Sequence, residues 1–262
     1  MANASGKTAL ITGASVGIGR DLAGLFAMDG HGLILTARNE KQLNELAAKI
    51  RAEHGTPVDI IPKDLAEPGA PQQIFDQIVS RGIAVDFLVN NAGFGAHGPF
   101  AESDISEQLA MLQVNIVALT HLTRLFLPEM LARKRGRVLN VASTAAFVPG
   151  PYMAGYYASK AFVLSFSEAV DAELAGTGVT ITALCPGPTA TEFHKRAGIA
   201  NSKLFKGKTM SSIEVAEIGY RAMLAGKRTV VAGLRNKILT TSTRFVPRKA
   251  VTAITRNLNK DR

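Results

Sequence analysis

Tyr156 and Lys160 stand four residues apart, a spacing that puts two side chains on one face of a helix. A free phenol titrates at roughly 10 and is a reluctant base at neutral pH. An ammonium beside it favours the phenolate and lowers that value. A phenol tuned in this way can trade a proton with a substrate oxygen while a hydride moves at carbon, as a carbonyl–alcohol interconversion requires. Tyr157 lies one step round the helix with Ala161 at its own i+4 position, so the spacing selects Tyr156. Standing alone, with no site beside it, a Tyr–Lys pair at this spacing is more often a surface contact.

A second pattern concerns phosphate. Thr12-Gly13-Ala14-Ser15-Val16-Gly17-Ile18-Gly19 lies between an apolar strand-like run and a helical one. Glycines there let the backbone come close to an anion, and the free N–H groups and positive dipole end of the helix point at it. An ordinary tight turn is the alternative, and the strand–turn–helix placement favours the phosphate site.

These groups need elements to hold them. Strand-type runs are expected at Lys7–Thr12, Leu33–Ala37, Val58–Pro62, Val85–Asn90, Arg137–Ala142, Val179–Cys185 and Arg228–Val231. Helical spacing falls between them: Ile18–Met28, a helix capped by Asn39 with Gln42 at capping-box distance, Pro71–Arg81, a long helix from Ser106 to Leu131 perturbed near its end by Pro128, Tyr156–Ala175 and Ser212–Ala225. Apolar strands separated by helices imply an α/β, doubly wound, seven-stranded and mostly parallel sheet. The expected division is a Rossmann-like domain over 1–232 and an extension over 233–262.

The glycine turn departs from G-x-G-x-x-G, with three residues between Gly13 and Gly17. T-G-x-x-x-G-x-G in this position resembles the short-chain dehydrogenase/reductase superfamily. Further motifs follow in that family's order: Asp64-Leu65 after the third strand, Asn90-Asn91-Ala92-Gly93 after the fourth, and Asn115 in the long helix. Ser143 follows the fifth strand, then Tyr156-x-x-x-Lys160, then Pro186-Gly187-Pro188-Thr189-Ala190-Thr191 after the sixth. The resemblance reaches to about residue 232 and implies the sheet order 3-2-1-4-5-6-7.

The resemblance implies that Tyr156 is the general acid in reduction and the base in oxidation. It implies that Lys160 supports it and bonds the nicotinamide ribose, and that Ser143 orients the substrate carbonyl. Asn115 would bend its helix and hold a water that links Lys160 to solvent; a core amide satisfied by backbone is the plainer account. Gly13, Ser15, Gly17, Ile18 and Gly19 would hold the pyrophosphate. Asp64 would accept from the adenine amino group with Leu65 nearby, or simply cap a turn. Asn91, Ala92 and Gly93 would line the cofactor channel, Pro186 and Gly187 would approach the nicotinamide, and Thr189 and Thr191 would anchor its carboxamide.

An acid at the end of the second strand would bond a free ribose 2′-hydroxyl and repel a 2′-phosphate. Leu35-Thr36-Ala37-Arg38-Asn39 has none, and the fork of Arg38 suits phosphate. The expected cofactor is NADP(H). Many NADP-type relatives also carry a basic residue in the glycine turn, where this chain has Val16, and a solvated loop residue is the alternative for Arg38.

Hydrophobic residues at 47%, charged residues at 19% and a mean hydropathy of +0.13 supply a core and exclude a disordered chain. The lone Cys185 excludes a disulfide framework or a cysteine zinc site, and the histidines show no metal-ligand spacing, so no metal is expected. No apolar run suggests a membrane-spanning helix, and MANASGKTAL does not read as a secretory signal, so a cytoplasmic protein is expected. Net charge is +9, all of it in residues 227–262, where ten basic side chains face Asp261 alone. The high pI therefore describes a tail, and nucleic acid is not the expected partner.

In that tail Leu234, Ile238 and Leu239 share one helical face, and Val251, Ile254 and Leu258 another. Such a segment can cover its own domain, meet a neighbouring subunit, or lie on an anionic membrane. Residues 192–211 are expected to form a helical substrate lid, with Phe94, Phe147, Met153, Phe193, Ile199 and Leu204 as an apolar wall. The expected function is an NADP(H)-dependent oxidoreductase acting on an apolar or amphipathic carbonyl or secondary alcohol, as a homodimer or homotetramer. A 3-oxoacyl-thioester reductase is the alternative, its phosphopantetheine meeting basic residues near Arg133 to Arg137. A non-catalytic dinucleotide sensor or scaffold is a third, against which the retained motif residues stand.

Overall fold

Strand residues such as Ala9, Leu10 and Ile11 are apolar on both sides of the pleat, so each strand needs cover on both faces. In the computed structural model, which describes residues 6–191 and 209–260, the central strands have that cover and only the edge strands are partly exposed. The principal strands are β1 (Thr8–Thr12), β2 (Gly32–Thr36), β3 (Val58–Ile60), β4 (Phe87–Asn90), β5 (Gly136–Val141), β6 (Val179–Cys185) and β9 (Thr229–Val231). They form one sheet in the order β3-β2-β1-β4-β5-β6-β9, and every pairing is parallel. The expected order holds. The last strand is β9 because β7 (Thr189–Ala190) and β8 (Met210–Ser211) pair separately with each other.

Alternate strand residues feed two cores. Ala9 and Ile11 pack with α1 (Gly17–Met28), α2 (Glu40–His54) and α7 (Ser212–Leu224) through residues such as Phe26, Leu43 and Met223. Leu10 packs on the opposite face with α3 (Ala70–Ser80) and the long central helix through Ile74, Leu122 and Phe126. Helix α6 (Ala154–Glu173) closes that face beside β5 and β6, where Val163 meets Ala142 and Cys185. Asn39 caps α2 by accepting from the Gln42 N–H at 3.0 Å. The reciprocal half of a capping box is missing, since Gln42 Oε1 is buried without a hydrogen-bond partner.

The long helix runs over Ile105–Ala132, but its perturbation is not at Pro128. It consists of α4 (Ile105–Leu112), a π-helical turn over Gln113–Ala118, and α5 (Leu119–Ala132), which passes through Pro128 without ending. The wide turn contains Asn115, whose amide bonds outside the helix, and such side-chain demands are a common cause of π-bulges. By length and composition this helix is apolar enough to cross a bilayer, contrary to expectation. Its Val114, Ala118, Leu122, Phe126 and Met130 are buried in the core against the sheet, which accounts for its apolar character.

The Arg133–Arg137 cluster is at the wrong edge for a substrate. It enters β5 at the amino-terminal end, and its guanidiniums are committed: Arg133 to Val85 O at 2.7 Å, Arg135 to Asp86 at 3.0 Å and Arg137 to Thr180 Oγ1 at 2.9 Å.

After β9 come α8 (Leu234–Ser242) and α9 (Arg248–Asn259). Of the three dispositions open to this segment, cover of its own domain through the Leu234–Ile238–Leu239 face is not what the orientation shows. Leu234, Ile238, Leu239 and Ile254 face outward, while Thr240, Thr255 and Asn259 are buried. Asn259 is fully enclosed: its Nδ2 donates to Pro151 O at 3.0 Å, its Oδ1 accepts from Tyr157 Oη at 3.1 Å, and its carbonyl lies 2.7 Å from His97 Nε2. Of the expected lid, 192–208 lies outside the described residues, and Met210–Ser211 is strand β8, with Ser211 capping α7.

A buried polar chain ties the two site-bearing helices to the sheet. Asn90 Nδ2 donates to Thr123 Oγ1 on α5 (3.0 Å) and to Asn140 Oδ1 on β5 (2.9 Å). Asn140 Nδ2 in turn donates to Ser167 Oγ on α6 at 2.9 Å. Replacing Asn140 with Leu strands two polar neighbours at once. Asn140→Leu is therefore expected to lower unfolding free energy by about 2–4 kcal/mol, measured by urea denaturation. A loss below about 0.5 kcal/mol would show that the chain is not structurally important.

Candidate active site

In an open parallel sheet, ligands bind beyond the carboxyl ends of the strands. Here the β1–α1 turn, the ends of β2, β4, β5 and β6, and the first turns of α6 enclose a continuous cleft of about 460 Å³. Of the expected site residues, Gly13, Ser15, Gly17, Ile18, Arg38, Asp64, Leu65, Asn91, Ala92, Gly93, Ser143, Tyr156, Lys160, Pro186, Gly187, Thr189 and Thr191 all line it. Gly19 and Asn115 lie behind its wall.

The glycines are required chiefly by protein contacts. Gly13 and Gly17 have φ of 63° and 58°, a left-handed conformation that disfavours side chains. A Cβ on Gly19 would stand 2.4 Å from both Asn91 Nδ2 and the Gly13 carbonyl. Glycine therefore lets the turn close onto the end of β4. Asn91 Nδ2 donates to Thr12 O (2.9 Å) and Gly13 O (3.1 Å), while Thr12 Oγ1 accepts the Asn91 and Ala92 N–H groups at 3.0 Å. The Asn91 amide is thus a brace for the turn. Helix α1 has no side-chain cap and no acid in its first turn, which leaves its amino end suited to an anion.

At the β2 end, Arg38 is largely exposed and lies 3.8 Å from Asp64. Asp64 also accepts the Ala66 N–H at 2.9 Å, so it does cap a turn, with its second oxygen toward Arg38. Thr36 Oγ1 and Gln42 Oε1 line this end, buried and without hydrogen-bond partners. Buried polar atoms of this kind normally find a partner, and a bound nucleotide would provide one. Lys63, also on the wall, bonds Gln73 Oε1 at 2.7 Å. The sequence reading missed Lys63, Thr36 and Gln42. Their signal was position, at or just past the carboxyl ends of β2 and β3.

At the other end the Tyr156 ring is half-buried in the wall and Lys160 is buried. Lys160 Nζ lies 5.8 Å from the Tyr156 ring centroid and donates to Val141 O at 2.8 Å. Burial pushes the Lys160 amine down to about 8. Burial raises the Tyr156 hydroxyl above the ordinary phenol range, against a lowering hydrogen bond from Ser143. Burial, the largest cause of the Tyr156 shift, thus acts against the lowering expected from its lysine. Ser143 Oγ accepts from Ala145 N–H at 3.1 Å and sits 3.4 Å from Pro186 O.

Asn115 is held largely by backbone, as its plainer account has it, and the π turn around it is the bend of the other account. Its Oδ1 accepts the Phe94 N–H at 3.1 Å, and its Nδ2 donates to Phe94 O and Ser159 Oγ, both at 3.0 Å. A Cβ on Gly93 would come within 2.9 Å of Asn115 Oδ1 and 3.3 Å of Lys160 Nζ, so glycine is what lets these groups converge. Similarly, a Cβ on Gly187 would strike Asn236 of α8 at 2.5 Å. The Thr189 hydroxyl donates to Gly187 O at 2.9 Å. Phe94 and Met153 line the cleft, whereas Phe147 packs into the core beside α6. Phe193, Ile199 and Leu204 lie outside the described residues. Tyr157 also reaches the wall and is held there by Asn259.

One cleft thus joins an anion-suited helix end, a basic rim and a phenol–amine–hydroxyl cluster. A family model described as short chain dehydrogenase matches residues 7–201. A short chain dehydrogenase of Pseudocercospora fijiensis is 39% identical over 71% of this chain and 61% of that protein. A very-long-chain 3-oxoacyl-CoA reductase of Phaeosphaeria nodorum is 35% identical over 79% of this chain and 63% of that protein. The matches thus span less than two thirds of either relative. The structure of a short-chain dehydrogenase from Sphingobium yanoikuyae in complex with NADPH superposes with a TM-score of 0.82 at 31% identity, covering 91% of this chain and 94% of that one. Sequence, sheet order and site geometry agree, and the chain belongs to the short-chain dehydrogenase/reductase family of NAD(P)H-using oxidoreductases.

Proposed function

We propose that this protein is an NADP(H)-dependent oxidoreductase that interconverts a carbonyl and a secondary alcohol on an apolar or amphipathic substrate. The observation that carries the reading is the Tyr156–Ser143–Lys160 cluster at one end of a cleft whose other end carries Arg38. Residues 1–232 are the catalytic domain and 233–262 its extension. The nicotinamide, when bound, supplies or accepts the hydride.

The chain's own residues do the rest. Ser143 orients the substrate oxygen toward the Tyr156 hydroxyl, which donates a proton in reduction and takes it back in oxidation. Lys160, as an ammonium, bonds the ribose beside the nicotinamide and offsets charge on the phenol. Asn115 holds Phe94 and Ser159 in place, and its remaining lone pair can keep a water near Lys160. Gly13, Ser15, Gly17, Ile18 and Gly19 present the α1 amino end to the pyrophosphate. Arg38, with Thr36 and Gln42 behind it, takes the 2′-phosphate, and Asp64 and Leu65 meet the adenine. Asn91, Ala92 and Gly93 form the channel wall, and Pro186, Gly187, Thr189 and Thr191 the nicotinamide side. NADPH in the Sphingobium structure supports this choice of nucleotide.

A 3-oxoacyl thioester is the substrate class favoured second, supported by relatives named very-long-chain 3-oxoacyl-CoA reductase and ketoacyl reductase. A cytoplasmic homodimer or homotetramer accords with the family and with the outward-facing Ile105, Leu109 and Val117 on the central helix and Phe162 on α6.

Tyr156→Phe is expected to lower turnover roughly 10²–10⁴-fold while NADPH affinity changes less than about threefold. Stopped-flow nicotinamide absorbance and fluorescence titration check the two halves. Turnover left intact would refute the role of Tyr156, whereas wild-type protein that binds NADPH without turning over any carbonyl would favour a sensor or scaffold. Arg38→Ala is expected to weaken NADPH binding roughly 10–100-fold and leave NADH within about twofold. An equal loss for both nucleotides would remove the 2′-phosphate assignment.

A further inference from the structure

Helix α8 reverses the usual arrangement of an amphipathic helix, which buries its apolar stripe, and α9 does so in part, with Ile254 in solvent and Val251 and Leu258 half-buried. Their inward side chains are polar. Asn236 fills the space beside Gly187, Thr240 and Thr255 are buried, and Asn259 is locked to Pro151 and Tyr157. Apolar side chains face outward: on the helices Leu234 is 75% exposed, with Ile238, Leu239 and Ile254 also in solvent, and in the connection between them Phe245 is 84% exposed beside Val246. Interleaved with these, residues 235–260 carry seven basic side chains, all exposed, and no acidic one. Side chains this apolar are not left in water without a reason when they cluster.

We propose that the outward face of α8 and α9 docks on an anionic lipid surface. Charge selects this occupant. A second copy meeting the same face about a twofold axis would set one cationic segment against another, with no acid in residues 235–260 of either copy to relieve the repulsion. A polyanion without an apolar phase would satisfy the cations and leave Leu234 and Phe245 in water. A membrane with anionic headgroups takes both: the apolar side chains enter the interface and the cations meet the headgroups. The orientation is set by the buried contacts. Asn236 abuts Gly187 and Asn259 holds Tyr157, and both partners line the cleft. Docking therefore brings that wall of the cleft to the bilayer, whatever substrate it holds.

Co-sedimentation of the full-length protein with phosphatidylcholine vesicles, with and without 30% phosphatidylglycerol, tests the proposal. Binding is expected to the anionic vesicles and not to the neutral ones, falling steeply as salt rises. Ile238→Ser combined with Phe245→Ser is expected to weaken it more than tenfold. Arg244→Gln and Lys249→Gln are expected to cost roughly fivefold each. All four positions are exposed, and NADPH affinity, read in parallel, verifies the fold of each variant. The proposal fails if wild-type protein stays in the supernatant, or if neutral and anionic vesicles bind it equally. It fails also if the Ile238/Phe245 variant turns a dimer into a monomer by ultracentrifugation while vesicles bind neither form, which would make the face a subunit contact.

Discussion

Lys160, only 5% exposed beneath a parallel sheet edge and hydrogen-bonded to a backbone carbonyl, sets the terms for the whole site. Removing an ammonium from water is costly unless something compensates it. The protein compensates little: Val141 O is one acceptor, and the amine is pushed down to about 8. The same lack of water raises the Tyr156 phenol. Both groups therefore sit nearer neutrality than they would in solution, side by side. Additional partners in the cleft, such as ribose hydroxyls and a carbonyl oxygen developing charge, would restore the ammonium and make proton transfer from the phenol favourable. The site is built to be completed by its ligands.

Much of the fold serves to hold that pair in register with the phosphate turn. Lys160 and Tyr156 ride on α6, which the Asn140–Ser167 bond fastens to β5, while Asn90 carries the connection on to α5. Thr12 and Asn91 fasten the glycine turn to the end of β4, one residue beyond Asn90. The sheet thus links the two ends of the cleft through paired neighbours, and its parallel register puts every strand's carboxyl end on the same side. Glycines 19, 93 and 187 allow side chains from other elements to close in: Asn91, the Asn115–Lys160 pair and Asn236.

Most element bounds were legible because buried parallel strands are continuous apolar runs and the helices between them keep a 3.6-residue period; the sheet order was legible only through the family resemblance of the motifs. The phenol–amine pair was legible because i, i+4 spacing is local. What escaped depends on long-range contacts. The π turn at Asn115 is set by Phe94 and Ser159, distant in sequence, so Pro128 drew the expectation instead. The outward apolar faces of α8 and α9 escaped because periodicity locates a stripe without saying which way it faces, and Asn259 decides the matter from the far end of the chain. The direction of the phenol shift escaped because proximity of a cation is readable from spacing and desolvation is not. Thr36 and Gln42 carry no motif; their unpartnered oxygens are visible only once the cleft has walls.

The ammonium state of Lys160 in the complex is open to direct measurement through the pH dependence of NADPH affinity. Below about 8 the free protein already holds the proton, so affinity is expected to be flat. Above that pH, binding must take up a proton. Affinity is then expected to fall by up to about tenfold per pH unit, with proton uptake registered as a buffer-dependent binding enthalpy. Lys160→Met should abolish both effects. Affinity that is constant to pH 10, or a pH dependence that survives in the Lys160→Met protein, would contradict the account.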